Sequence, residues 1–241
     1  MTASFLFEDL PRAALLVLVA GLALRWLALA LRPPAEDTAV GSGWQGLGRL
    51  GMVALVLVLV AHLAALLAPQ ALAAVSRARL RLYLLEASGF LIGLVALLAW
   101  ARLVVRHLRA QGPSLTAVAD SVLLALVAVA LVSGLVIAVR YRWASLWGAA
   151  TLTPYVRSLA RGRPMGLLAA PMPLAIQLHL VSTFAALAVL PLSRLSLALL
   201  LPLHRSARRL GAWMARPVRA VGRLGRTFLA RPAAWIWPEE E

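Results

Sequence analysis

Five long apolar runs constrain the fold of this chain more than any other feature of the sequence. Each run is long enough, at about 1.5 Å per helical residue, to cross about 30 Å of membrane hydrocarbon or nearly so. The runs cover residues 11–31, 50–68, 82–101, 115–139 and 173 to about 203. The sequence therefore predicts an all-α integral membrane bundle of five transmembrane helices.

Prolines and arginines separate the runs, and no internal repeat of 20 to 50 residues is present. We interpret residues 1–204 as one membrane domain and residues 205–241 as an arginine-rich tail. In the tail, apolar residues recur every three or four positions, opposite arginines: Leu210, Trp213, Met214, Val218, Val221, Leu224 and Phe228. This pattern is typical of an amphipathic helix on an anionic membrane surface, and docking of a catalytic partner is the alternative.

Charge and composition exclude several functional classes. All 24 basic residues are arginine, so a P-loop lysine and a Schiff-base lysine are excluded. The absence of cysteine excludes iron–sulfur ligation by this chain, covalent c-type haem attachment and disulfides. The arginines that give the net charge of +15 lie mostly between the apolar runs and in the tail. This placement favours lipid headgroups over nucleic acid.

The distribution of arginines predicts the orientation in the membrane. Eight arginines lie in the tail, and the loops expected on the same side add Arg32, Arg49, Arg102, Arg106 and Arg109. The other side holds Arg12, Arg77, Arg79, Arg81, Arg140, Arg142, Arg157, Arg161 and Arg163. The positive-inside rule then places the N-terminus outside and the C-terminus in the cytoplasm, in the cytoplasmic (inner) cell membrane.

Two of the four histidines lie deep inside apolar runs. His62 is seven residues before Pro69, and His179 is six residues after Pro173. Because the second and fifth helices run antiparallel, both imidazoles are expected about 9–10 Å below the same surface. Axial ligation of a haem iron satisfies both imidazoles at once. Hydrogen bonding to neighbouring helices, or a role in a proton path, is the alternative.

Motifs in all five runs resemble, in order, the gamma subunit of respiratory nitrate reductase, a di-haem cytochrome b that oxidises quinol. They are Gly21, Arg25 and Trp26; Ala61-His62 and Ala68-Pro69; Ala87-Ser88-Gly89; Ala119-Asp120 and Ser133-Gly134-Leu135; and Leu178-His179-Leu180-Val181 with Leu190-Pro191-Leu192-Ser193-Arg194-Leu195.

The resemblance implies that His62 and His179 are the axial ligands of the haem nearer the outer surface. The family's inner haem uses histidines at positions that are Met52 and Leu197 here. Leucine cannot bind iron, so we expect one haem b per chain. His204 and Met52 stay open as alternative ligands of a second haem. For His107 and His204 the other interpretation is contact with lipid headgroups, because each adjoins an arginine at a helix end, where an imidazole can reach them.

The resemblance also implies a quinone site beside the outer haem, with a basic residue in the loop between the second and third helices. Arg77 is at that position, with Arg79 and Arg81 close by. Glu86 is an unusual charge for an apolar helix and is the expected acceptor of quinol protons. Contacts with headgroups, and pairing of Glu86 with a loop arginine, are the alternatives.

We therefore expect a membrane subunit that takes electrons from quinol and has no complete active site of its own. The family's partners are an iron–sulfur subunit and a molybdenum catalytic subunit on the cytoplasmic side. Two alternatives stay open. One is a single-haem subunit of another quinone-linked complex, of the sulfur-metabolism or heterodisulfide-reductase type. The other is a non-redox membrane anchor or transporter.

Overall fold

A computed structural model describes residues 4–31, 47–109, 115–141, 148–163, 165–197, 199–201, 203–210 and 213. Most of these residues are helical, and none of them is in a strand. The α-helices are α1 (Leu10–Leu31), α2 (Gly48–Leu67), α3 (Pro69–Val75), α4 (Arg79–Arg109), α5 (Leu115–Arg140), α6 (Thr153–Ala160) and α7 (Leu174–Val189). π-helical turns at Phe5–Asp9 and Gly148–Leu152 precede α1 and α6, and 3₁₀ turns lie at Gly166–Leu168 and Leu190–Leu192.

Five helical segments are long and apolar enough to span a membrane, which confirms the predicted fold class. They are Phe5–Leu31, Gly48–Leu67, Arg79–Arg109, Thr116–Arg140 and Leu174–Leu192. The fifth span ends about ten residues before the end of its apolar run. Pro191 lacks the N–H that would continue the hydrogen-bond ladder, and Ser193 has an extended backbone with ψ of 158°.

The spans pack as a row in which neighbours in space are not always neighbours in sequence. α2 packs on α4, α4 on α5, α5 on α7, and α7 on α1. The end of the bundle where α2 ends and α7 begins is called the histidine side here, and the opposite end is called the tail side. α2 and α7 share almost no backbone contact along their described residues, although both border the same interior.

The chain forms two compact units, Met1–Ala198 and Leu199–Glu241. In the second unit, residues 199–201 and 203–210 are helical, and His204 lies in the latter stretch. Most of the predicted amphipathic tail, from residue 214 onward, lies outside the described residues. The loop between α1 and α2, with Arg32, and the indoles of Trp143 and Trp147 lie outside them as well.

Candidate functional site

The rings of His62 and His179 face each other across the interior between α2 and α7. Their ring centroids are 5.9 Å apart, and their planes differ by 26°. Nitrogen–metal bonds of imidazoles are about 2.0–2.1 Å long, so rings this close together are near enough to reach one metal ion between them. The two histidines predicted to act together are therefore neighbours in space, 117 positions apart in the sequence.

Each imidazole is oriented by a hydrogen bond from Nδ1. His62 Nδ1 lies 2.7 Å from the carbonyl oxygen of Val58, and His179 Nδ1 lies 2.8 Å from that of Ala130. A carbonyl oxygen can only accept, so both rings carry their proton on Nδ1. The lone pair of each Nε2 is then free to bind iron, and metal-binding imidazoles usually donate their other N–H to an acceptor such as a backbone carbonyl, which fixes the ring orientation.

α5 provides the space that the ring of His179 occupies. A side-chain carbon built on Gly134 would lie 3.2 Å from His179 Cε1 and 3.3 Å from Nδ1, which is tighter than ordinary contact. Ser133 Oγ lies 3.4 Å from His179 Nδ1. The donor set, the tautomers and this space together fit bis-histidine ligation of a haem.

α2 and α7 hold their histidines differently. α7 buries Ile176, Leu180, Ser182, Phe184 and Ala186, and the ring of His179 is bonded to α5. α2 buries only Gly51 and Ala54, both in its tail-side half. His62 and the residues around it are exposed. The helix that carries His62 therefore has its buried contacts at the opposite end.

α6 contacts the last turn of α2. Thr153 Oγ1 donates to the carbonyl of Ala65 at 3.2 Å. The guanidinium of Arg157 donates to the carbonyl of Leu66 at 2.9 and 3.2 Å and to that of Leu67 at 3.2 Å. A cation and a hydroxyl therefore satisfy carbonyls at a helix C-terminus, where positive charge is stabilising.

The start of the chain fastens α6 in place. The hydroxyl of Tyr155, which is fully buried, donates to the carbonyl of Phe7 at 2.7 Å. The N–H of Gly166 donates to Glu8 at 3.2 Å, and Arg12 donates to the carbonyl of Gly162 at 3.2 Å. Burial, and then the charge of Glu8, raise the pKa of the Tyr155 hydroxyl. This hydroxyl therefore stays protonated and continues to donate.

The predicted quinone-site residues lie on the histidine side. Arg77 is exposed in the turn between α3 and α4, and Arg79 and Arg81 are exposed in the first turn of α4. Glu86 is half-buried, two turns into α4. The position of Arg77 after the end of α2 agrees with the loop location expected from the resemblance.

Apolar side chains pack together on the tail side of the bundle. A buried cluster there joins the start of α2, the helices α4, α5 and α7, and the segment after α7. It contains Leu47, Ala99, Trp100, Leu103, Leu123, Leu124, Ala186 and Leu195. Met52 packs against this cluster, and the indole N–H of Trp100 donates to the carbonyl of Leu124 at 2.9 Å. Leu197 is half-buried at the end of the same unit. The described residues hold no group of three His, Cys, Asp or Glu that could bind a metal ion.

A polar network crosses the tail side of the bundle. Asp120 is buried and accepts the backbone N–H of Arg194 at 2.7 Å. Arg25 donates to the carbonyl of Ser193 at 2.9 Å and to the hydroxyl of Ser196 at 2.7 Å. These bonds satisfy the backbone N–H of Arg194 and the carbonyl of Ser193, where the helical backbone is interrupted after Pro191. Near the end of α4, Nε2 of His107 shares a hydrogen bond of 3.0 Å with the Ser121 hydroxyl.

Sequence reasoning identified the two histidines but not the groups that orient them. Ala130 and Val58 act through backbone carbonyls, which carry no side-chain signal. α6 has only a weak signal in the sequence, because Leu152, Tyr155 and Leu159 recur at helical spacing but the helix has only eight residues. Its contact with α2 joins residues about 90 positions apart and has no local pattern.

Comparison with known proteins agrees with the motifs. The model of the nitrate reductase gamma subunit family matches residues 3–211, which include all five spans and both histidines. A search among curated proteins found no significant match to this chain. Since the family match covers most of the sequence, the chain belongs to the nitrate reductase gamma subunit family.

Proposed function

We propose that this protein is the membrane-anchoring cytochrome b subunit of a nitrate-reductase-like complex, and that it oxidises quinol and passes electrons to a partner redox subunit. One observation carries the proposal: two imidazoles at ligand spacing, each with Nδ1 on a backbone carbonyl and Nε2 free, in a chain of this family. Bound between His62 and His179, a b-type haem supplies one-electron chemistry at its iron.

The residues of the chain then have separate tasks. His62 and His179 hold the iron, and Gly134 leaves space for the second ring. Arg77 orients the quinol oxygen through a charge-assisted hydrogen bond. Each quinol releases two protons and two electrons, and Glu86 accepts protons on the way to water. Iron–sulfur and catalytic subunits receive the electrons, because without cysteine the chain has no iron–sulfur centre of its own.

We propose one haem per chain. The family's second ligand positions are Met52 and Leu197, and Met52 packs into a core cluster that includes Trp100. The same observation favours a second candidate function, a single-haem subunit of another quinone-linked complex of the sulfur-metabolism or heterodisulfide-reductase type.

A reduced-minus-oxidised spectrum of the purified chain tests the proposal, together with the pyridine haemochrome stoichiometry. We expect a low-spin b-type spectrum at one haem per chain, and loss of haem in both His62→Ala and His179→Ala. His107→Ala is the matched control, and it should keep its haem because His107 is bonded to Ser121 on the opposite side. Two haems per chain would contradict the count. No haem in the wild type would favour a non-redox anchor or transporter.

A further inference from the structure

The last turn of α2 lacks backbone donors. The carbonyl of Ala65 would normally accept from the residue four positions later, which is Pro69 and has no N–H. The helix ends at Ala68, where ψ is 56°, and the N–H of Ala68 makes the last bond of the ladder, to the carbonyl of Ala64. Thr153 and Arg157 supply the missing donors to the carbonyls of Ala65, Leu66 and Leu67.

This contact lies close to His62. The three carbonyls are three to five residues beyond the histidine, within about one and a half turns of the same helix. The residues from Leu59 to Ala64 are exposed, and the buried residues of α2 lie at the other end. The contact with α6 therefore fixes the half of α2 that carries the ring.

The ring of His62 moves with its helix. Its Nδ1 is bonded to Val58 one turn earlier on α2 itself, whereas Nδ1 of His179 is bonded across to α5. A displacement at the end of α2 is thus transmitted to Nε2 of His62 and not to the ring of His179. The support behind α6 is rigid, because Tyr155 is fully buried and bonded to Phe7.

We propose that Arg157, assisted by Thr153, is a positioning residue for His62: its guanidinium holds the C-terminal turn of α2 and so sets the position of the imidazole opposite His179. The inference rests on the proposed function in one respect, that His62 binds haem iron. The hold on α2 itself is a property of the chain with or without a cofactor.

The first experiment measures that hold on the haem-free chain in detergent. Hydrogen exchange of amides 59–68 should become at least about ten-fold faster in Arg157→Gln, because hydrogen bonds to a charged donor are lost. Arg161→Gln is the matched control. It removes the same charge one helical turn later, from an exposed side chain that makes no described hydrogen bond to α2. Equal exchange in both variants overturns the proposal.

The second experiment uses the haem-loaded full chain. Arg157→Gln should release haem to apomyoglobin roughly ten- to a hundred-fold faster than the wild type. It should also shift the low-spin electron paramagnetic resonance g values, which depend on the relative orientation of the two imidazoles. Arg157→Lys should restore part of both, since an ammonium can still donate to helix-end carbonyls. Unchanged g values together with faster release would mean a general structural role and would overturn the positioning role.

Thr153→Val is a milder variant that still tests the proposal if Arg157→Gln fails to fold. It keeps the volume and removes one hydroxyl donor, so it should move exchange and haem release in the same direction by a smaller factor. No effect of Thr153→Val on either measurement counts against the proposal. A wild type without haem would contradict the proposed function alone, since the exchange experiment needs no haem.

Discussion

At the scale of single residues, the absence of a side chain at Gly134 determines where the imidazole of His179 can lie. A methyl group on Gly134 would press on the imidazole at 3.2 Å, so the ring must shift by a few tenths of an ångström. In Gly134→Ala we expect a displaced midpoint potential and a several-fold weaker haem affinity, since an off-rotamer side chain costs about 0.5–1.5 kcal/mol. Redox titration and haem-transfer kinetics measure both.

Gly89→Ala is the control for this substitution. Gly89 is also inside a membrane-spanning helix, but a side-chain carbon there would meet nothing within 4 Å. The control should keep the wild-type potential and affinity. If Gly134→Ala also keeps them, the ring of His179 has more freedom than its contacts indicate.

Arg77 is the residue on which the quinone-site prediction depends. Arg77→Ala should slow haem reduction by quinol analogues while leaving the haem content unchanged. Losing one charge-assisted hydrogen bond costs about 1.5–3 kcal/mol, or roughly ten- to a hundred-fold in rate or affinity. Stopped-flow reduction measures it, with Arg109→Ala on the opposite side as the control. Unchanged kinetics in Arg77→Ala would place the quinol elsewhere.

Tyr155 makes the histidine side sensitive to alkaline pH. Its pKa is raised in the folded chain, so above the ordinary value of about 10 the unfolded state loses this proton first. The folded state then binds more protons than the unfolded state, and stability falls by about 1.4 kcal/mol per pH unit until the folded pKa is reached. Thermal unfolding between pH 9 and pH 11 should show a weaker fall in Tyr155→Phe.

Tyr83→Phe controls for the general effect of alkali, because Tyr83 is half exposed. Its pH profile should follow the wild type. A wild-type profile in Tyr155→Phe would mean that other groups cause the alkaline loss.

The pairing of the two histidines could be predicted from the sequence. An imidazole in an apolar run is unusual, and its distance from the helix end can be counted along the chain. Thr153 and Arg157 could not be assigned a role in the same way. In the sequence they belong to the loop before the fifth run, whose arginines and tryptophans are compatible both with a membrane-parallel segment and with a docking surface. Their hydrogen bonds to α2 depend on how two distant segments pack.

At the scale of helices, apolar length alone gave the number of spans, since a run of about twenty apolar residues has few alternatives in water. The end of the fifth span was harder to predict. Its run continues to about Leu203 with Arg194 as its one charged residue, and the break follows from Pro191 and from side chains that satisfy the freed backbone. α6 escaped prediction because eight residues are too few for a strong periodic signal.

The break after α7 depends on Asp120. Asp120→Ala removes a buried acceptor of the Arg194 N–H and a negative charge that interacts with Arg25. We expect a loss of about 1.5–3 kcal/mol in the free energy of unfolding, measured by denaturation in detergent micelles. Thr116→Ala removes an acceptor of the exposed Arg194 guanidinium and should cost less than about 1 kcal/mol. Equal losses would contradict the role of Asp120.

At the scale of the whole molecule, removal of the predicted tail tests whether partner subunits dock on it. We expect that deleting residues 205–241 leaves the haem spectrum intact, because both histidines and their orienting carbonyls lie in Met1–Ala198. If the partner subunits dock on the tail side, the truncated chain should lose them in a pull-down. Co-purification of the partner with the truncated chain, with electron transfer retained, would favour docking on the histidine side.

The bonds between Tyr155 and Phe7 and between Glu8 and Gly166 join residues 148 and 158 positions apart. During translation at about 5–20 residues per second, roughly 7–30 seconds pass between synthesis of the first partner and synthesis of the second. The amino-terminal segment therefore waits in the translocation machinery or at the membrane surface while four spans are inserted. These bonds therefore form late in biogenesis, only after the loop before the fifth span has reached its final position.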